Sequence, residues 1–214
     1  MIQVFVCCEG PTDIGALKAF SEKCISAKVE CMTHNDVKHI KVRRLKSGKQ
    51  GKEKDDALSR KAYIRRIAFI ANEYSSTFIA YHQDADRNYE CVYEDVNSDL
   101  DEYREKGFGC VAIVPKEMTE SWLLADAKAY ATAFGHNPER PALPKKPEEI
   151  WGKREIPNSN YPKNVMERIL KQYSLSPNRE IFAEIADKSD IATVKARCPK
   201  SFARFVDDLH SLNL

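Results

Sequence analysis

Three short apolar runs constrain this chain more than any other feature: Ile2-Gln3-Val4-Phe5-Val6-Cys7-Cys8, Thr77-Phe78-Ile79-Ala80-Tyr81-His82 and Gly109-Cys110-Val111-Ala112-Ile113-Val114-Pro115. Each is of strand length, and each gives way to an acidic turn followed by a helical pattern. After the first run, Ile14, Ala16, Leu17 and Phe20 fall on one side at helical spacing, with Thr12 or Asp13 placed to cap the helix. Ahead of the second, Leu58, Ala62, Ile64, Ile67, Ala68 and Ile70 form a core-facing stripe. A helix over 92–106 stops at Gly107, and another begins at Met118. This β-α-β-α-β-α order predicts an α/β fold, a mostly parallel sheet flanked by helices. A weaker edge strand is expected over Lys38–Leu45, where His39-Ile40-Lys41-Val42-Arg43 alternates polar with apolar.

Two stretches lack such patterns. The segment 46–56, with two glycines among Lys, Asp and Gln, predicts a mobile loop, and the Pro- and Lys-rich segment 135–162 a linker or crossover. Short helices are expected over 163–173, 179–186, 191–197 and 201–212. The chain thus divides into a catalytic-type domain at 1–134, the linker at 135–162, and a small helical C-terminal region at 163–214 packed on that domain.

Composition narrows the function classes. At 214 residues, 43% hydrophobic and 31% charged, the chain has room for one sizeable core and no run long enough to span a bilayer. The N-terminal run lacks a basic flank and meets Glu9 too early for a secretory signal, so a cytoplasmic protein is expected. A net charge of +2 decides nothing about nucleic acid, because Lys and Arg can still gather on one face. Seven cysteines include no C-x-x-C pair, so neither a zinc knuckle nor a redox motif is present, and Cys7 and Cys110 read as reduced core residues.

The chemistry-bearing residues sit where strands end: Glu9 after the first, Asp84 and Asp86 after the second apolar run, Glu117 and Glu120 after the third. Ligand sites of parallel α/β sheets form beyond the carboxyl ends of strands, so these carboxylates can converge. Carboxylates crowded in a partly buried site repel, and a hard divalent cation, magnesium or manganese, relieves that repulsion. A D-x-D alone is common on solvated turns; the glutamate motif beside it favours metal. Glu120 counts as functional only if Trp122, Leu123 and Leu124 face the core and turn it toward the sheet; otherwise it is an ordinary first-turn glutamate. His82 is expected to be a hydrogen-bonded structural residue. The basic set Lys46, Lys49, Lys52, Lys54, Arg60, Lys61, Arg65 and Arg66 suits a phosphate backbone or, equally, a solvated face.

The pattern E-G-x-x-D, Glu9-Gly10-Pro11-Thr12-Asp13, followed by D-x-D, Asp84-Ala85-Asp86, resembles the Toprim domain of primases, topoisomerases and certain nucleases. The resemblance covers about Met1 to Asp126 and implies a Rossmann-like Toprim fold. Glu120-Ser121-Trp122-Leu123-Leu124-Ala125-Asp126 and the tail Lys200-Ser201-Phe202-Ala203-Arg204-Phe205 look like small standalone Toprim-related proteins once grouped as a domain of unknown function. Carried over residue by residue, the resemblance implies acid/base work and metal binding for Glu9, and Mg2+ or Mn2+ coordination for Asp84 and Asp86. Nucleases of the overcoming-lysogenization-defect type place an acid four positions after the glutamate and use two metals, which implies a metal role for Asp13 in competition with helix capping. The expected activity is phosphodiester hydrolysis, in a phage-defence or repair setting. Glu9, Asp84, Asp86 and Glu120 are its catalytic residues, and Lys116 or Lys61 steadies developing charge. Nucleic acid, DNA rather than RNA, is the expected partner, held by Lys49, Lys52, Lys54, Lys61 and Arg65. The alternative is a non-catalytic subunit that binds a partner ATPase, since the chain has no G-x-x-x-x-G-K-[ST] of its own.

Overall fold

A computed structural model describes residues 2–40, 42, 59–135 and 142–212. The first apolar run forms β1 (Gln3–Cys8), and its side chains alternate between two buried faces: Val4, Val6 and Cys8 on one, Phe5 and Cys7 on the other. A strand buried on both sides belongs in the middle of a parallel sheet. There it lies, paired in parallel with β2 (Lys28–Thr33) and β3 (Phe78–His82), while β4 (Gly109–Ile113) pairs with β3 at the far edge. The order is β2-β1-β3-β4, all parallel.

The face of Phe5 and Cys7 packs on α3 (Arg60–Glu73) and α4 (Tyr89–Arg104) through Ile64, Ile67, Val96 and Leu100. The face of Val4, Val6 and Cys8 packs on α1 (Asp13–Cys24) and on helices from the C-terminal half: α5 (Thr119–Leu123), α6 (Ala127–Phe134), α7 (Pro162–Lys171), α8 (Arg179–Lys188), α9 (Ile191–Arg197) and α10 (Ser201–His210). Between β2 and α3 lies a single helical turn, α2 (His34–Val37), closed by a reciprocal Thr33–Asp36 capping box. Trp122 centres the larger core: fully buried, it stacks on Phe205 at 5.2 Å and donates from Nε1 to Ser201 Oγ at 2.7 Å. All seven cysteines are free thiols. No helix among the described residues is long and apolar enough to cross a membrane.

One element departs from expectation. The edge strand is Lys28–Thr33, and Lys38, His39, Ile40 and Val42 are not in a strand. The alternation at 39–43 mimicked an edge strand, whereas the real one exposes Lys28, leaves Glu30 half-buried and is fixed by register with β1, from Gln3↔Lys28 to Cys8↔Thr33. Segment 46–56 lies outside the described residues. The described part of the Pro- and Lys-rich stretch holds one 3-10 turn, Pro147–Glu149, whose Glu148 is buried and accepts from the backbone N–H groups of Lys200 and Ser201 at 3.0 and 2.7 Å. That carboxylate satisfies donors at the start of α10.

Candidate functional site

Parallel strands bring their carboxyl ends to one edge, and the loops leaving that edge carry Glu9, Asp84, Asp86, Glu117 and Glu120. His82, the last residue of β3, lies fully buried among them. Its Nε2 stands 3.3 Å from Asp84 Oδ1 and 3.0 Å from Thr119 Oγ1. Asp84 Oδ1 also accepts from Thr119 N–H at 3.2 Å, and Asp84 N–H donates to Glu9 Oε2 at 2.9 Å. Loops remote in sequence are thereby locked together around two carboxylates. Burial opposes charge on the His82 ring, but the hydrogen bond to Asp84 and the charges of Asp13, Asp84 and Glu9 prevail and lift it to about 9. Glu9 N–H points at the ring's Nδ1 at 3.5 Å, a long and weak contact that ties the loop after β1 to the end of β3.

Asp13 is buried, and its Oδ2 accepts from Gly10 N–H at 3.1 Å. Thr12 occupies the N-cap position without a side-chain cap bond, so neither residue caps α1 as expected; the aspartate folds back on the turn instead. A Cβ at position 10 would stand 2.9 Å from that Oδ2, so a side chain there would push the Asp13 carboxylate aside. Glu120 is 3% exposed, and its Oε2 has no hydrogen-bond partner. Trp122, Leu123 and Leu124 are fully buried, so the condition for Glu120 to face the sheet edge is met.

Lys163, the second residue of α7, is the main residue that sequence reasoning missed. It is half-buried, and although burial disfavours its charge, Glu120, Asp84 and Asp13 raise its pKa. Reciprocally, burial and then the Asp84 charge push Glu120 up to about 8, against Lys163 and with Asp13 adding to the rise. Burial likewise raises Asp13, with His82 and Lys163 opposing and Asp84 reinforcing, and raises Glu9, with the Asp84 N–H and His82 opposing. Asp86 stands exposed at the rim, lifted by partial burial and by Asp84. Its φ of 44° and that of Arg87, 78°, make two successive left-handed residues, held there by N–H bonds to the carbonyls of Glu117 at 3.2 Å and Lys116 at 3.3 Å. Glu117 is buried with Oε2 unpartnered; burial pushes it up to about 7 against the pull of Lys116 and Arg87.

The structure does not bring Lys61 into this group: its Nζ lies 3.6 Å from Asp99, and Arg60 pairs with Asp99, Asp95 and the Gln83 side chain. The cation among the carboxylates is Lys163 rather than Lys61 or Lys116, and no motif around Pro162-Lys163-Asn164 announces it. Lys61 and Arg65 both lie on α3, and Lys49, Lys52 and Lys54 are outside the described residues. As they stand, no three His, Cys, Asp or Glu side chains among the described residues are grouped to hold a metal ion. The donors nonetheless suit a hard cation: Glu9, Asp13, Asp84, Asp86 and Glu120 offer only carboxylate oxygens, one of them buried and unpaired.

No curated protein and no solved structure matches the chain. A family model described as "Domain of unknown function (DUF4276)" matches residues 8–210, from the last residue of β1 to the end of α10. That span takes in Glu9, Asp13, Asp84, Asp86, Glu120 and Lys163 alike, and the chain belongs to the DUF4276 family.

Proposed function

We propose that this chain is a magnesium- or manganese-dependent phosphodiesterase acting on nucleic acid, with a Toprim-like site. The observation that carries the reading is that hydrogen bonds tie the Glu9, Asp84 and Thr119 loops together at three strand ends, with Asp13, Glu120 and Lys163 within electrostatic reach at the carboxyl edge of the sheet. Charge of this density, partly buried and with the oxygen of Glu120 unpaired, has no structural purpose that a hydrogen-bonded neutral set would not serve better. Glu9, Asp84 and Asp86, with Asp13 and Glu120 behind them, would hold the ion. When bound, such an ion polarises a phosphoryl oxygen and acidifies water.

The chain's own residues supply the rest. Glu9, its pKa raised by burial, can accept and return a proton while its Oε2 is steadied by Asp84 N–H. Lys163 brings a positive charge to a site where negative charge develops on the phosphate. His82 orients Asp84 from behind through Nε2.

The test is Asp84→Asn. The amide keeps an oxygen acceptor for Thr119 N–H, so circular dichroism and melting stay near wild type, while divalent-dependent nicking of plasmid is lost. Wild-type turnover in this variant would sink the catalytic reading.

A further inference from the structure

Beside the acidic site, two clefts meet at Lys116 and Lys200. One, of about 250 Å³, is lined by these residues with Lys145, Lys146 and Arg197; the other, of about 320 Å³, adds Arg87. The carboxylates on these walls are already engaged. Glu149 accepts from Lys146 Nζ at 3.0 Å, Glu148 is turned inward onto the backbone of Lys200 and Ser201, and Glu90 lies 3.7 Å from Arg204. Arg197 donates to the carbonyl oxygens of Ala125 at 2.9 Å and of Pro144, bonds that leave its charge uncompensated. Among the described residues no carboxylate lies within ion-pair distance of Lys116, Lys145, Lys200 or Arg87, although Glu117 and Glu149 are near enough to feel Lys116. The contrast with α3 is direct, because Arg60 and Lys61 there are answered by Asp95 and Asp99.

The clefts are joined to the acidic site by backbone. Arg87 N–H bonds to the carbonyl of Lys116 and Asp86 N–H to that of Glu117, so the turn bearing Asp86 and the loop bearing Lys116 are tied together. A single small anion would fill one cleft. Cations spread over two clefts that share Lys116 and Lys200 fit a chain of phosphates instead.

We infer that these joined clefts hold the phosphate backbone of the nucleic-acid strand flanking the bond presented to the carboxylates, so that phosphate contacts come from Lys116, Lys145 and Lys200 rather than from α3. The inference rests on the phosphodiesterase reading for its ligand.

The experiment measures binding of a fluorescein-labelled single-stranded oligonucleotide to the full chain by anisotropy, in chelator and over a range of salt, with divalent-dependent cleavage assayed separately. The triple variant Lys116→Glu, Lys145→Glu, Lys200→Glu is expected to lose at least about tenfold in affinity, and its salt slope to shrink by about 2. The milder pair Lys145→Ala and Lys200→Ala, at exposed positions, gives a smaller loss in the same direction. Reversal of Lys49, Lys52 and Lys54 changes affinity less than the cleft variants do. Wild-type affinity and slope in the cleft variants, or a larger loss in the loop variant, would overturn the inference. So would displacement of the oligonucleotide by inorganic phosphate at matched ionic strength, which would make the clefts a small-anion site. Absence of cleavage with cleft-dependent binding intact would remove the phosphodiesterase reading and leave the cleft assignment standing.

Discussion

Glu120 offers the sharpest test of the site without any substrate. In the metal-free protein it is 3% exposed with one oxygen unpaired, and burial, then the Asp84 charge, push it up to about 8 despite Lys163. A glutamate in the unfolded chain titrates near 4.5. Between those values the folded protein keeps a proton that the unfolded chain gives up, so this contribution to stability is complete below 4.5 and is lost as pH rises through about 8. At about 1.4 kcal/mol per pH unit, that rise sets an upper bound of about 5 kcal/mol on the contribution. Glu120→Gln removes the titration and keeps the shape. In chelator, urea unfolding followed by circular dichroism should find the variant within about 1 kcal/mol of wild type at pH 5, and more stable by about 2–5 kcal/mol at pH 8.5. Magnesium or manganese should then raise the melting temperature of the wild type more than that of the variant, because stabilisation follows affinity for the folded state. A variant weakened equally at both pH values would mean that Glu120 is a structural hydrogen-bonding group, and the argument from crowded charge would fail.

Lys163→Met should cut divalent-dependent cleavage about 100-fold or more, with partial recovery in Lys163→Arg, as measured by single-turnover rates; unchanged turnover would remove Lys163 from the reaction. Gly15→Ala should lower stability by about 1–3 kcal/mol in thermal melts, because a Cβ there collides with the backbone carbonyl of Arg179 and lies 3.1 Å from the Ala183 nitrogen; a neutral effect would show that α1 and α8 separate without penalty.

What the sequence made legible follows from what is local. β1, β3 and β4 are apolar on both faces, so composition alone marks them, and the residue after each strand end is known once the strand is. That is enough to place Glu9, Asp84 and Glu120 at one edge of a parallel sheet. β2 escaped because an edge strand need bury little: Lys28 is exposed and Glu30, Cys31 and Met32 are only half-buried, so nothing in their pattern outweighs the cleaner alternation at 39–43. Capping of α1 was misjudged for a related reason, since the contact of Asp13 with Gly10 N–H depends on how the turn closes rather than on residue type.

The cations were illegible on different grounds. Carboxylates at strand ends are held near one another by the sheet, whereas Lys163, Lys145 and Lys200 come from segments with no pairing register to the strands. Their position is set by apolar packing: Val165, Met166, Phe202 and Phe205 bury against the same sheet face as Val4 and Val6, and that burial carries the lysines to the edge where Asp84 stands. Strong charge density at the edge demands compensation from within the chain or from an ion. Lys163 supplies one positive charge and His82, lifted to about 9, a second, against Glu9, Asp13 and Asp84, while Glu120, pushed up to about 8, keeps its proton at neutral pH. The balance is still negative, and Asp86 at the rim deepens it. An edge with that residual charge repels a bare phosphodiester, while the clefts around Lys116 and Lys200 attract it. A strand anchored in the clefts can lie across the carboxylates only when a cation sits between them, so affinity for nucleic acid and affinity for the divalent ion should reinforce one another.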